Sequence, residues 1–175
     1  MKKKQIAVIG TGGSEEYPFS KPDPNAYRFA YQLGQLIAEQ NCILICGGMG
    51  GVMAEACRGA KEKGGLTVGV IAGIKRNITN EYVDVEIVSG SMNCAEENLI
   101  ISMSDGVIAI GGGAGTLQEL AIAYRNKKPT VAIKDISGWA AKLAQKKYLD
   151  ERRTQLIGTA ITPAEALTTL LKILD

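Results

Sequence analysis

The chain has 175 residues, 46% apolar and 22% charged, a globular balance that allows one hydrophobic core and leaves little room for a second. A net charge of +2 gives no electrostatic case for nucleic acid or a membrane surface, and no stretch reaches the ~18 apolar residues that span a bilayer. Histidine is absent, which removes Ser-His-Asp and Cys-His nucleophile systems and His-based metal motifs.

The basic start, Met1-Lys2-Lys3-Lys4, resembles the head of a signal peptide, but the apolar run behind it, Ile6 to Ile9, is too short for one. It reads as a first strand, Gln5–Gly10, and the protein is expected to be cytoplasmic. An irregular segment, Thr11 to Pro24, is first acidic and then proline-rich. A helix is predicted from about Asn25 to Gln40, with Ala30, Leu33, Gly34 and Ile37 at core spacing. A strand over Ile43–Cys46 leads to a helix after Gly51, with Met53, Ala56, Cys57 and Ala60 on one stripe. Strands follow over Thr67–Ile71 and Val85–Val88, then a helix over roughly Cys94–Met103 and a strand over Gly106–Ile110. The next helix is predicted to start near Thr116, with Leu117, Leu120, Ala121 and Tyr124 facing the core and Lys127-Lys128-Pro129 as its stop. A strand over Thr130–Ile133, a helix near Gly138–Lys147 and a last helix from Pro163, capped by Thr162, complete the chain.

The strands are nearly continuous apolar runs, as in a sheet buried on both faces. Alternation of strand and helix throughout predicts an α/β fold. It is a Rossmann-like three-layer α/β/α arrangement with a mainly parallel central sheet, one domain over residues 1–175. The four cysteines, Cys42, Cys46, Cys57 and Cys94, form no CxxC pair and read as small buried thiols rather than metal ligands.

Glycine is the outlier, at 21 copies. Three glycine turns follow strands: Gly10-Thr11-Gly12-Gly13-Ser14, Gly47-Gly48-Met49-Gly50-Gly51 and Gly111-Gly112-Gly113-Ala114-Gly115-Thr116. In a parallel sheet all three gather on one edge. The first amides of a helix lack internal partners and sit at the positive end of its dipole, and glycine lets an anion approach them. Tight βα packing alone also selects glycine, so a single turn carries little weight and the convergence of three carries more. Neither familiar fingerprint is complete. Gly10-x-Gly12-x-x-Glu15 lacks the third small residue, and no Gly-Lys-Ser/Thr occurs.

Thr116-x-x-Glu119 has the form of a capping box. Glu119 lies opposite the predicted core stripe, which leaves it to face solvent, a ligand or a partner subunit. Ile122, also off the stripe, points to a dimer. Lys75, Arg76, Arg58 and Arg125 are the cations within reach of a phosphate, each more simply read as a solvated surface charge.

Gly111-Gly112-Gly113-Ala114-Gly115-Thr116-Leu117-Gln118-Glu119 resembles the GGxGTxxE signature of the LONELY GUY-like Rossmann proteins, often mislabelled lysine decarboxylases. Cys46-Gly47-Gly48-Met49-Gly50-Gly51-Val52-Met53 resembles their second signature, GGGxxGLM. The short chain and the Ile110-Gly111-Gly112-Gly113 form look closer to the molybdenum-cofactor-carrier branch than to the plant enzymes. The resemblance implies a homodimer. Enzyme members hydrolyse the N-glycosidic bond of adenine-type nucleoside 5′-monophosphates: the Gly-Thr turn holds phosphate, the motif Glu (here Glu119) assists cleavage, and an upstream Arg supports it. This chain has Glu96-Glu97-Asn98 where that Arg is expected, which reverses the local charge. Either hydrolysis is lost or a residue such as Arg76 substitutes.

The leading expectation is a protein that binds a phosphate-containing, nucleotide-like ligand, a nucleotide or a molybdenum cofactor, with no cofactor required for its own fold and no metal site. The phosphate is expected on the amides of Gly113–Thr116. Thr11, Gly12, Gly13, Gly47, Gly48, Met49, Gly50, Gly51, Gly112 and Arg76 complete the expected site, and Glu96 and Glu97 are its candidate carboxylates. The alternatives are a nucleotide phosphoribohydrolase using Glu119 and a dimeric scaffold without a small ligand.

Overall fold

The computed structural model describes residues 2–13, 23–90 and 96–175. The middle of the Thr11–Pro24 segment, Cys94 and the side chain of Glu96 lie outside the described residues. In chain order the elements are β1 (Gln5–Gly10), α1 (Pro24–Glu39), β2 (Ile43–Cys46), α2 (Val52–Glu62), β3 (Leu66–Ile71) and β4 (Val85–Val88). Then come α3 (Glu96–Ser102), β5 (Gly106–Ile110), α4 (Ala114–Arg125), β6 (Thr130–Ile133), α5 (Trp139–Lys146), β7 (Gly158–Ala160) and α6 (Pro163–Leu174).

The seven strands form one sheet in the order β4-β3-β2-β1-β5-β6-β7, every neighbouring pair parallel. Strand side chains alternate between faces, so β1 serves two cores. Ile6 and Val8 pack with Leu33 and Ile37 of α1, Ala56 of α2 and Leu170 of α6. Ala7 and Ile9 pack with Ile101 of α3, Leu120 and Ala123 of α4 and Leu143 of α5. Each fully buried Ile, Leu or Val among them contributes roughly 1.5–3 kcal/mol, which is why the central strands are apolar on both faces. The result is the three-layer Rossmann-like α/β/α fold expected from the alternation.

Two glycines set how closely α1 and α2 cross. A Cβ on Gly34 would lie 2.0 Å from the Ala56 carbonyl oxygen, and one on Gly59 would lie 1.9 Å from that of Tyr31. Gly34 is therefore a contact point between helices rather than a filler of the core. Asp23 caps α1 by accepting from the Asn25 amide, and Thr162 caps α6 by accepting from the Glu165 amide, with proline in the first turn of each.

Two features depart from expectation. β7 was not predicted: Gly-Thr-Ala has no apolar run, and the strand exists by pairing along β6 at the sheet edge. The larger departure is α4. It starts at Ala114 with Gly113 at its N-cap, so Thr116 and Glu119 do not form a capping box. The buried stripe is Thr116, Glu119, Leu120, Ala123 and Tyr124, with Leu117 and Ala121 only half-buried. Glu119 thus belongs to the inward face of α4, where the sequence stripe had placed it opposite.

Candidate functional site

β2, β1 and β5 lie side by side, and the chain runs outward in opposite directions from β1 and β5. The topological switch point therefore falls between these strands, above which folds of this class leave a crevice. All three glycine turns leave the carboxyl ends of these strands.

Much of the glycine there serves the protein itself. The Thr11 hydroxyl accepts from the Gly112 amide at 3.0 Å, and its carbonyl accepts from the Val52 amide at 3.0 Å. Thr11 is thereby a tie between the three turns. Gly51 has φ +69°, and a Cβ there would sit 2.4 Å from the Gly13 nitrogen. Gly50 packs as closely on the Gly13 carbonyl, with 2.7 Å to its oxygen from a Cβ. The start of α2 is thus partly covered by the loop after β1. Gly48 has φ +69°, and its carbonyl accepts from both the backbone amide and the side-chain amide of Asn80, at 2.7 and 3.0 Å. Gly112, at φ +90°, accepts from the Trp139 amide through its carbonyl.

The start of α4 is different. No side chain caps it, and the first intrahelical bond of this turn runs from Leu117 to the Gly113 carbonyl at 3.0 Å. The amides of Ala114, Gly115 and Thr116 have no partner within the helix. A Cβ on Gly113 or Gly115 would meet nothing within 4 Å, and neither residue has a positive φ. Neither packing nor backbone conformation requires glycine at these positions. The Thr116 hydroxyl is turned inward and donates to the Gly10 carbonyl at 3.2 Å.

Beside this helix start is a cavity of about 450 Å³, within the range of small-molecule sites. Of the residues expected in the site, Gly12, Gly47, Met49, Glu97, Gly113, Gly115, Thr116 and Glu119 line it. Asn98 and Ile101 of α3 add to them, with Met53, Ala72 and Ile78 on an apolar side. Thr11, Gly13, Gly48, Gly50, Gly51, Gly112 and Ala114 frame the loops without lining the cavity. Asn80, which pins the second turn, and the wall residues Ala72 and Ile78 carried no sequence signal for a site, whereas Met53 closed the second signature motif. Asn98 was adjacent to the candidate carboxylates.

No lysine or arginine lines the cavity among the described residues. Arg76 and Lys75 are exposed outside it, and Arg125 is exposed at the far end of α4. Arg58 is engaged with Glu55 at 2.6 Å and lies over the Tyr31 ring at 4.1 Å. Among the described residues the ionisable side chains of the cavity are two carboxylates. Glu119 is 9% exposed, and its carboxyl is pushed up to about 8, first by burial and then by the charge of Glu97. Glu97 is 7% exposed, and its Oε2 is buried with no hydrogen-bond partner among the described residues. Cys46, at the end of β2, faces Cys57 with 3.5 Å between sulfurs, and its thiol is lowered by that contact, with the Gly48 amide also donating to it. Among the described residues no three His, Cys, Asp or Glu side chains cluster as a metal ion requires.

Residues 3–166 match the SLOG cluster4 family. The chain belongs to that family. A SLOG cluster4 chain of this kind is 41% identical over 134 residues to an uncharacterized protein of Archaeoglobus fulgidus, covering 77% of this chain and 82% of that one. The molybdenum cofactor binding protein of Rippkaea orientalis is similar in structure, with a TM-score of 0.83, 34% identity and coverage of 100% of this chain and 99% of that chain. The molybdenum cofactor carrier protein of Chlamydomonas reinhardtii is similar at a TM-score of 0.80 and 34% identity, covering 99% and 98%. The two signature motifs of this SLOG cluster4 protein therefore mark a LONELY GUY-like Rossmann branch with carrier-protein relatives.

Proposed function

We propose that this SLOG cluster4 protein, as one domain, binds a phosphate-containing, nucleotide-like small molecule in the cavity between β1 and β5. The phosphate lies on the free amides of Ala114, Gly115 and Thr116, and the ligand body lies along the cavity toward α3. The observation that carries the reading is the pair Gly113 and Gly115, glycines with open space above them and no conformational need to be glycine. Backbone donors at the positive end of α4 supply the attraction for an anion, and no lining cation among the described residues adds to it. Two relatives named for the molybdenum cofactor support a carried small molecule, and a phosphate-bearing pterin fits this donor set as a nucleotide does. Thermal denaturation against ribose 5-phosphate, nucleoside 5′-monophosphates and a pterin phosphate tests the reading. A ligand held by the native state raises the transition in a concentration-dependent way, and a flat response across the panel would contradict it.

Hydrolysis of a nucleoside monophosphate is the second reading, favoured by one observation: Glu119 lines the same cavity. Incubation with AMP, followed by a search for free adenine, separates it from carriage. Release of adenine that Glu119→Ala abolishes establishes an enzyme.

The homodimer reading rests on α3 and the turn after it, where Leu99, Ile100 and Met103 are 47%, 42% and 41% exposed. Apolar side chains this close in sequence on the surface suit contact with a second copy. Light scattering at micromolar concentration tests it through the mass, which is 18.6 kDa for one chain.

A further inference from the structure

Glu97 poses a physical problem. A buried carboxylate oxygen without a hydrogen bond is costly, and native structures rarely leave one. Glu97 lines the cavity, is 7% exposed, and has this unpartnered oxygen. The terminal torsion of a Glu side chain is soft, so either oxygen can turn toward the cavity. No lysine or arginine lines the cavity among the described residues, so no cation satisfies this oxygen there, and a ligand N–H can supply the donor.

The shape of the cavity narrows what that donor is. Met49, Met53 and Ile78 provide an apolar side suited to the flat face of a heteroaromatic ring. Glu119 lies four residues beyond Gly115 on α4, about 6 Å along the helix axis. A ligand with its phosphate on the first turn of α4 thus presents the far part of its body to the carboxylates. A carboxylate accepts best from two parallel N–H groups. Guanine and pterins share such an edge, a ring N–H beside an exocyclic amino group on a 2-amino-4-oxopyrimidine ring. Hypoxanthine keeps the ring N–H but lacks the amino group, and adenine sets its amino group beside a ring acceptor that repels a carboxylate.

We propose that Glu97, backed by Glu119, is the specificity determinant that reads the 2-amino-4-oxopyrimidine edge of a phosphate-bearing ligand. The inference rests on the proposed function above, since it uses the phosphate to set the ligand's direction. With its carboxyl pushed up to about 8 by burial, Glu119 is mostly uncharged at neutral pH, which lessens the repulsion that a phosphate-bearing ligand meets.

The test is calorimetric binding to the full chain, with and without EDTA, of GMP, 6-hydroxymethylpterin phosphate, IMP, AMP and ribose 5-phosphate. GMP or the pterin phosphate, or both, should bind at least about tenfold more tightly than IMP and AMP, because a site built around a donor rejects the analogue lacking it. Which of the two binds more tightly identifies the natural source of the edge. Glu97→Gln should bring that preference to near parity, while ribose 5-phosphate, which lacks the edge, should bind no less tightly than to the parent chain. Equal binding of all the phosphates overturns the inference and leaves the phosphate reading standing. A preference that Glu97→Gln does not alter overturns the assignment to Glu97, and one that EDTA abolishes assigns the carboxylates to a metal instead. Failure of every ligand to bind removes the phosphate reading, and this inference with it. The comparison among ligands uses the unaltered chain, so it holds even if the variant fails to fold.

Discussion

The Thr116 hydroxyl donates to the Gly10 carbonyl at 3.2 Å, joining the first turn of α4 to the end of β1 across the switch point. Thr11 closes the same junction from the other side, its hydroxyl accepting from the Gly112 amide. These side-chain contacts fix the turn around the free amides of α4 without using those amides. The helix start is therefore held rigidly while its donors stay open, as pre-organised anion binding requires. Thr116→Val keeps the shape and removes the hydroxyl. It should cost about 1 kcal/mol or somewhat more in chemical denaturation and weaken phosphate-ligand binding.

Gly115→Ala separates stability from binding. The new methyl meets nothing within 4 Å, and alanine is the better helix former by about 0.5–1 kcal/mol. The variant should unfold at the same or a higher temperature yet bind ribose 5-phosphate less well. A variant that is both stabilised and fully able to bind would show that the ligand does not approach this turn.

Gly51→Ala should do the opposite. Its φ of +69° is unfavourable for alanine, and the methyl would lie 2.4 Å from the Gly13 nitrogen and from the Thr11 carbonyl oxygen. A loss of about 2 kcal/mol or more is expected in urea denaturation, with lower binding only as a consequence of the displaced loop.

Stability should also fall with rising pH. Glu119 holds its proton up to about 8 in the folded chain, against ~4.3 for an unfolded glutamate. Between these values the native state binds more protons than the unfolded state. The contribution is full below the unfolded value and is lost as pH climbs through the native one. The loss is of the order of a few kcal/mol. Denaturation curves at about pH 5, 7 and 9 should show this slope in the parent chain and a flatter one in Glu119→Gln. Equal slopes would mean that Glu119 is ionised in the native protein at neutral pH.

The sheet was legible in the sequence because its strands are buried on both faces. Runs such as Ile6–Ile9 and Val107–Ile110 have no other economical reading. β7 was not legible, because Gly158-Thr159-Ala160 becomes a strand only by lying beside β6. The third glycine turn pointed to the cavity, but the helix start was misread. Thr-x-x-Glu suggested a cap at Thr116, whereas Gly113 ends the turn and moves Glu119 to the inward face. The glycines themselves were ambiguous in one dimension. Gly51 and Gly113 look alike in the sequence, and only the space around each tells a packing glycine from an open one. Residues such as Ile78 and Asn80 reach the site from the loop after β3, which local pattern cannot show.

The most direct measurement is an amide-resolved nuclear magnetic resonance titration of the labelled chain with ribose 5-phosphate. The account predicts that the amides of Ala114, Gly115 and Thr116 shift first and most, saturating with the same affinity as the cavity-lining Gly12. Saturable shifts confined to another surface, with these three amides unmoved, would contradict it.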